Sequence, residues 1–256
     1  MNEMTIRNKK LMLAGMFLSK FNRQGLEALG FKSLQEAFNS FALSVGGKPT
    51  SVKLYMQEFD PYFPNTRKGW RNRPIRPTRQ DLLDEFGGLG LDEFSELVRT
   101  QFAADADVDL VVGRAAIAAG VKDDDASTFA RRMMTGMAAE NFFEENYRKV
   151  SRFEACTLQR TTSYGCGFDF KLMPPEEDFL AVEVKGLRTP AGQIQLTEKE
   201  FKMAQYLSTR FYLYVVTDFA HTPKPRVIEN PLDAGIAFEE RAIKSEQRIW
   251  VAQIAA

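Results

Sequence analysis

A chain of 256 residues, 44% hydrophobic and 27% charged, is long enough for one large or two small packed domains and has the composition of an ordinary water-soluble fold. Two cysteines, Cys156 and Cys166, exclude a disulfide framework or a four-cysteine zinc site and point to a reducing, cytoplasmic setting; a single histidine, His221, excludes a histidine-rich metal centre and an HNH-type nuclease. The net charge is zero, yet residues 1–79 hold 14 Lys+Arg against 5 Asp+Glu and the remainder holds 20 against 29, an asymmetry that suggests a polyanion partner for the basic part.

Arg7, Lys9 and Lys10 precede an apolar stretch, Leu11 to Leu18, that stops at Ser19 and Lys20. It is too short to span a membrane and lacks a small-residue cleavage site, so it reads as the first helix of a folded domain. The first hundred residues carry no β pattern and read as short helices. Ser33 with Glu36 three residues on is a capping box opening a helix through Phe41. Gly46-Gly47-Lys48-Pro49 turns the chain, and Thr50 can cap a second helix over Val52 to Phe59. Such a pair resembles a helix-turn-helix whose second helix would offer Lys48, Thr50, Ser51, Lys53 and Gln57 to a groove, although any two packed helices share the pattern.

Residues 67 to 79 hold six basic side chains, Arg67, Lys68, Arg71, Arg73, Arg76 and Arg79, and no acid. Gly69, Pro74 and Pro77 prevent a regular helix, so these groups sit on an extended loop able to follow a phosphate backbone, with Asn72 and the arginines reaching base edges. A solvated basic linker is the bland alternative, for which Trp70 has little use. Residues 81 to 110 carry nine acids and one base, Arg99, and read as an acidic hinge. Gly87-Gly88-Leu89-Gly90 lacks the Lys-Ser/Thr of a phosphate loop, so no nucleoside-triphosphate motor is expected.

From about Asp124 the pattern changes to a long helix over 126–150, then apolar or alternating runs at 153–162, 167–172, 179–185, 211–217 and 248–254. Thr197 and Glu200 form a capping box that opens a helix running to about Leu207. The expected class is α/β (α+β), with a helical, basic recognition domain over 1–105 and a mixed-sheet domain over 106–256.

The stretch Phe179-Leu180-Ala181-Val182-Glu183-Val184-Lys185-Gly186 carries the chemistry. Alternation buries Leu180, Val182 and Val184 on one side and projects Ala181, Glu183 and Lys185 together on the other, the latter two about 7 Å apart at Cα. Asp169 lies between Phe168 and Phe170 in the preceding strand. Carboxylates at Asp169 and Glu183 on paired strands make the oxygen-rich cradle that a hard cation such as Mg²⁺ requires. A surface strand pair with a Glu183–Lys185 salt bridge is the structural alternative. Glu140 falls on the apolar stripe of the long helix, so it needs a cation or a hydrogen bond from Arg, Tyr or backbone.

Tyr164-Gly165-Cys166-Gly167-Phe168-Asp169-Phe170, Ala181-Val182-Glu183-Val184-Lys185-Gly186, Leu196-Thr197-Glu198-Lys199-Glu200-Phe201-Lys202-Met203-Ala204 and Tyr212-Leu213-Tyr214-Val215-Val216 together resemble the C-terminal domain family named after the plant protein NO VEIN. That family is a branch of the PD-(D/E)xK nuclease superfamily, and the resemblance covers roughly residues 130–232. It implies that Asp169, Glu183 and Lys185 are the catalytic acid, acid and lysine, that Glu140 is the helical acid, and that the Val184 carbonyl joins the metal ligands. It also implies an Mg²⁺-dependent endonuclease for double-stranded DNA, with Mn²⁺ as substitute, of the kind found in type II restriction enzymes. No Pro precedes Asp169, a departure the family tolerates. One site per chain and two strands to cut imply a homodimer. The competing expectations are a DNA-binding regulator with a nuclease-like but inert domain, and a single-strand or RNA nuclease using Trp70 and Phe63 as stacking surfaces.

Overall fold

The computed structural model describes residues 3–67, 69, 74–103, 126–162 and 166–240. The amino-terminal part is a helical bundle: α1 Glu3–Ala28, α2 Leu34–Leu43, α3 Pro49–Phe59, α4 Pro77–Phe86 and α5 Leu91–Ala103. Helix α1 is longer than the short helix its apolar run predicts, because Leu11, Leu13, Ala14, Met16, Phe17 and Leu18 are buried nearly all round. A helix apolar on every side belongs at the centre of a bundle, and α2, α3 and α5 surround it. Gly15 permits the closest approach, since a Cβ there would stand 2.7 Å from the Met56 backbone nitrogen of α3. Helix α3 begins at Pro49, one residue ahead of the expected Thr50 cap, because proline fits the first helical turn.

After α6 Ala126–Asn146 the chain forms a five-stranded sheet: β1 Thr157–Arg160, β2 Phe170–Met173, β3 Leu180–Gly186, β4 Phe211–Thr217 and β5 Lys224–Glu229, with α7 Glu198–Leu207 crossing between β3 and β4. Strands lie in sequence order. All neighbours are antiparallel except β3 and β4, which are parallel and need the α7 crossover. Leu180, Val182 and Val184 of β3 pack with Tyr212, Tyr214 and Val216 of β4 against Ala138, Ala139 and Phe143 of α6. The opposite face puts Ala181 and Phe211 against Ala204 and Leu207 of α7. Gly186 ends β3 where a Cβ would meet the Thr135 carbonyl oxygen of α6 at 2.8 Å, so helix and strand touch through backbone.

The mixed α+β sheet and the Thr197/Glu200 capping box agree with the sequence reading; both reciprocal bonds of the box are present. Strand β5 has no counterpart in the sequence reading: Pro223 and Pro225 interrupt the strand pattern, but β5 is an edge strand, where proline is tolerated. The apolar run at 248–254 lies outside the described residues, as does the expected domain boundary at 105/106. Glu36 forms only half of its expected box: Ser33 Oγ accepts from the Glu36 N–H, while the Glu36 carboxylate takes the Lys32 N–H and Arg188. That ion pair ties α2 to the segment after β3, and Asn39 of α2 donates to the carbonyls of Phe219 and His221 after β4, at 2.7 and 2.9 Å. No helix among the described residues is long and apolar enough to cross a membrane.

Tyr214 is fully buried, and its hydroxyl has no hydrogen-bond partner in the sheet–α6 core. Burial disfavours the phenolate and pushes Tyr214 up to about 12. The raised value means this contribution to stability is complete below pH 10, the ordinary phenol range, and is lost as pH climbs toward 12. Tyr214→Phe should therefore raise stability at pH 7 by about 1 kcal/mol and flatten the alkaline loss relative to wild type. Urea unfolding at pH 7 and pH 10.5 measures both.

Candidate functional site

Strand β2 pairs with β3 only from Phe170–Val182 to Leu172–Leu180. Asp169, just before the ladder, also sends its N–H to the Val182 carbonyl at 3.1 Å, so two residues address one, the arrangement of a β-bulge. The extra residue turns the Asp169 side chain into the opening where β2 leaves β3. There Oδ2 accepts the Val184 N–H at 2.9 Å, a ladder donor with no β2 partner. Val184 stands between Glu183 and Lys185, so one hydrogen bond brings all three predicted residues to the same point of the sheet. The Thr161 N–H and hydroxyl hold the carbonyls of Asp169 and Phe168 at 2.8 and 2.9 Å, fixing the bulge from β1's side.

Glu183 is 1% exposed and Asp169 3%. The expected salt bridge exists, with Lys185 Nζ donating to Glu183 Oε1 at 2.5 Å, but Glu183 is buried and Lys185 half-buried on the α7 face, so it is not a surface pair. The same ammonium donates to Glu200 Oε2 at 2.8 Å. Glu200 was legible in the sequence only as the third residue of a capping box. Its carboxylate also takes the Thr197 N–H at 2.9 Å, so one side chain closes the helix end and grips the lysine. The two buried carboxylates thus share the lysine as a cationic partner, as buried charges require.

Glu140 is buried on α6, at 5% exposure, and its compensator is Arg160 of β1, whose Nη1 donates to Oε2 at 3.0 Å. The guanidinium also binds Glu144 at 2.7 Å and lies over the Phe170 ring. No group of three His, Cys, Asp or Glu side chains able to hold a metal ion occurs among the described residues. In this arrangement Glu140 holds Arg160. Of the two cysteines, Cys156 is buried, and burial pushes its thiol up. His221 is exposed and paired with Asp218 at 2.8 Å.

The basic segment divides. Arg67 does not face outward: it forks onto Asp60 at 2.7–3.0 Å, reaches the Ser19 carbonyl at 3.1 Å and bonds Asn22. Asn22, at φ 51, interrupts α1, which makes the Ser19 carbonyl available. Arg79 binds Glu58 at 2.7 Å and stacks on Tyr55, both on α3. Both guanidinium groups, expected as phosphate contacts, are engaged by carboxylates of the helical bundle. They fasten both ends of the segment to the carboxyl end of α3. Arg76 is exposed, 4.0 Å from Glu58. Lys68, Trp70, Arg71, Asn72 and Arg73 lie outside the described residues. On α3, Lys48, Thr50 and Lys53 are exposed, while Ser51 and Gln57 are half-buried.

The family described as Protein NO VEIN, C-terminal, matches residues 139–228. The matched stretch runs from α6 to β5 and contains Glu140, Arg160, Asp169, Glu183, Lys185 and Glu200. No curated protein and no solved structure gives a significant match to the chain.

Arg67→Ala should cost about 3 kcal/mol of stability, because it strands the buried Asp60 carboxylate. Arg76→Ala should leave stability within about 0.5 kcal/mol of wild type. Chemical denaturation of the two variants side by side measures this.

Proposed function

We propose that this site is the catalytic centre of a divalent-cation-dependent nuclease that hydrolyses phosphodiester bonds of double-stranded DNA, acting as a sequence-specific restriction enzyme in homodimeric form. The observation that carries the reading is the Asp169 carboxylate on the Val184 N–H, between Glu183 and Lys185. The family match of the surrounding segment is compatible with a nuclease-like domain.

The donor set fits a hard cation. Mg²⁺ takes one or two carboxylates and completes its shell with water and substrate phosphate, so it needs no third acid. Asp169, Glu183 and the Val184 carbonyl would hold it, and when bound it supplies Lewis-acid charge beside the phosphate and acidifies water. Lys185 then has two tasks. Its ammonium orients the attacking water, and it opposes the negative charge that builds on the phosphate as the new P–O bond forms and the bond to the 3′ oxygen breaks. Asp169, fixed by the Val184 N–H, keeps its carboxylate in register with these groups. The exposed face of α3 with Lys48, Thr50, Ser51 and Lys53, together with Lys68, Trp70, Arg71, Asn72, Arg73 and Arg76, would grip the duplex through phosphates and groove edges.

Plasmid cleavage with Mg²⁺ should be abolished by EDTA, and Lys185→Ala and Asp169→Asn should each lower it by about 10²–10⁴-fold while DNA binding persists. DNA bound but never cut, with or without Mg²⁺, would instead fit a DNA-binding regulator. Preference for single strands or RNA in competition would redirect the substrate. Arg76→Ala should lower the slope of log affinity against log salt by about one, read by fluorescence anisotropy on a duplex.

A further inference from the structure

The Lys185 ammonium has two buried acidic acceptors, Glu183 at 2.5 Å and Glu200 at 2.8 Å. A capping box accepts glutamine or glutamate at its third position, and the helix dipole favours the charge only modestly, so the ion pair with Lys185 is the larger reason for a carboxylate at 200. Glu200 Oε2 receives the Thr197 N–H and the lysine together, so the first turn of α7 decides where the second acceptor stands. A cation entering at Glu183 meets an ammonium already on that carboxylate. Two positive charges at one buried carboxylate repel each other at close range, so a second acceptor for the ammonium lowers the cost of bringing the cation in.

We propose that Glu200 is a positioning residue that keeps Lys185 in the site when Glu183 turns its carboxylate to a divalent cation. This rests on the nuclease reading above and adds to it a hand-over: the lysine is the counter-ion of Glu183 before the cation arrives and of Glu200 afterwards. Glu200 then lowers the cost of cation entry and leaves the ammonium facing the phosphate.

The test is Mn²⁺ binding to the full chain by calorimetry without DNA, at one pH. Glu200→Gln keeps the cap and should leave the urea midpoint near that of wild type, while Mn²⁺ binds on the order of ten-fold more weakly. Glu198→Gln removes a carboxylate from the same turn, one that is exposed and paired with Lys202. It should change Mn²⁺ affinity by less than about two-fold, separating a specific hand-over from the general field. In a Lys185→Gln background, where no ammonium needs a partner, Glu200→Gln should have little further effect. An unchanged affinity in Glu200→Gln, or equal losses in Glu200→Gln and Glu198→Gln, would overturn the role of Glu200 while leaving the nuclease reading intact. A wild-type chain that binds no Mn²⁺ would remove the cation reading itself, and this role with it.

Discussion

Two carboxylates, Glu183 and Glu200, leave water with one ammonium between them, and much of the local architecture follows from that requirement. Burying a lone carboxylate costs several kcal/mol, so strand and helix must stand where Lys185 reaches both. Helix α7 is set by its cap, and the cap residue is the acceptor; neither can shift without the other. Asp169 obeys the same rule by another route. Its carboxylate is satisfied by a backbone N–H that the bulge leaves without a strand partner. Charged groups gather at this end of the sheet because the backbone is irregular there and supplies the donors that a regular ladder would consume.

Strand β3 separates two kinds of environment. Towards α6 lie aliphatic and aromatic side chains and the small residues Ala138 and Ala139, which let the helix approach until Gly186 meets the Thr135 backbone. Towards α7 the same strand presents Glu183 and Lys185. The α6 side fixes the height of the strand, and the α7 side carries its charges. The helical bundle is joined to this frame at the loops beyond β3 and β4, through Glu36–Arg188 and the Asn39 amide. The residues immediately downstream of the site are therefore held by α2, on the half of the molecule that bears the basic segment.

What was legible in the sequence was local. Alternation in 179–185 gave the facing of Glu183 and Lys185, the two-residue cap signal gave the start of α7, and the long helical stripe placed Glu140 in the interior. Partners distant along the chain were not legible. Arg160 as the compensator of Glu140, Glu200 as the second acceptor of Lys185, and Asp60 as the sink for Arg67 depend on which surfaces pack together, which no window of the sequence records. Arg67 and Arg79 look like their neighbours in a basic run; only the folded chain shows the carboxylates that engage them. Strand β5 was hidden because proline is a strand breaker except at an edge, and edge status is a property of the sheet.

The parallel pairing of β3 with β4 bears on when the site comes into being. Antiparallel neighbours can zip from a short turn, but these two strands meet only after the chain has travelled through α7, so the pairing closes late and slowly. During synthesis, Asp169, Glu183 and Lys185 all leave the ribosome before Phe211–Thr217 does. A nascent chain of that length carries the acids and the lysine without the strand that braces them, and the charged pocket is assembled last.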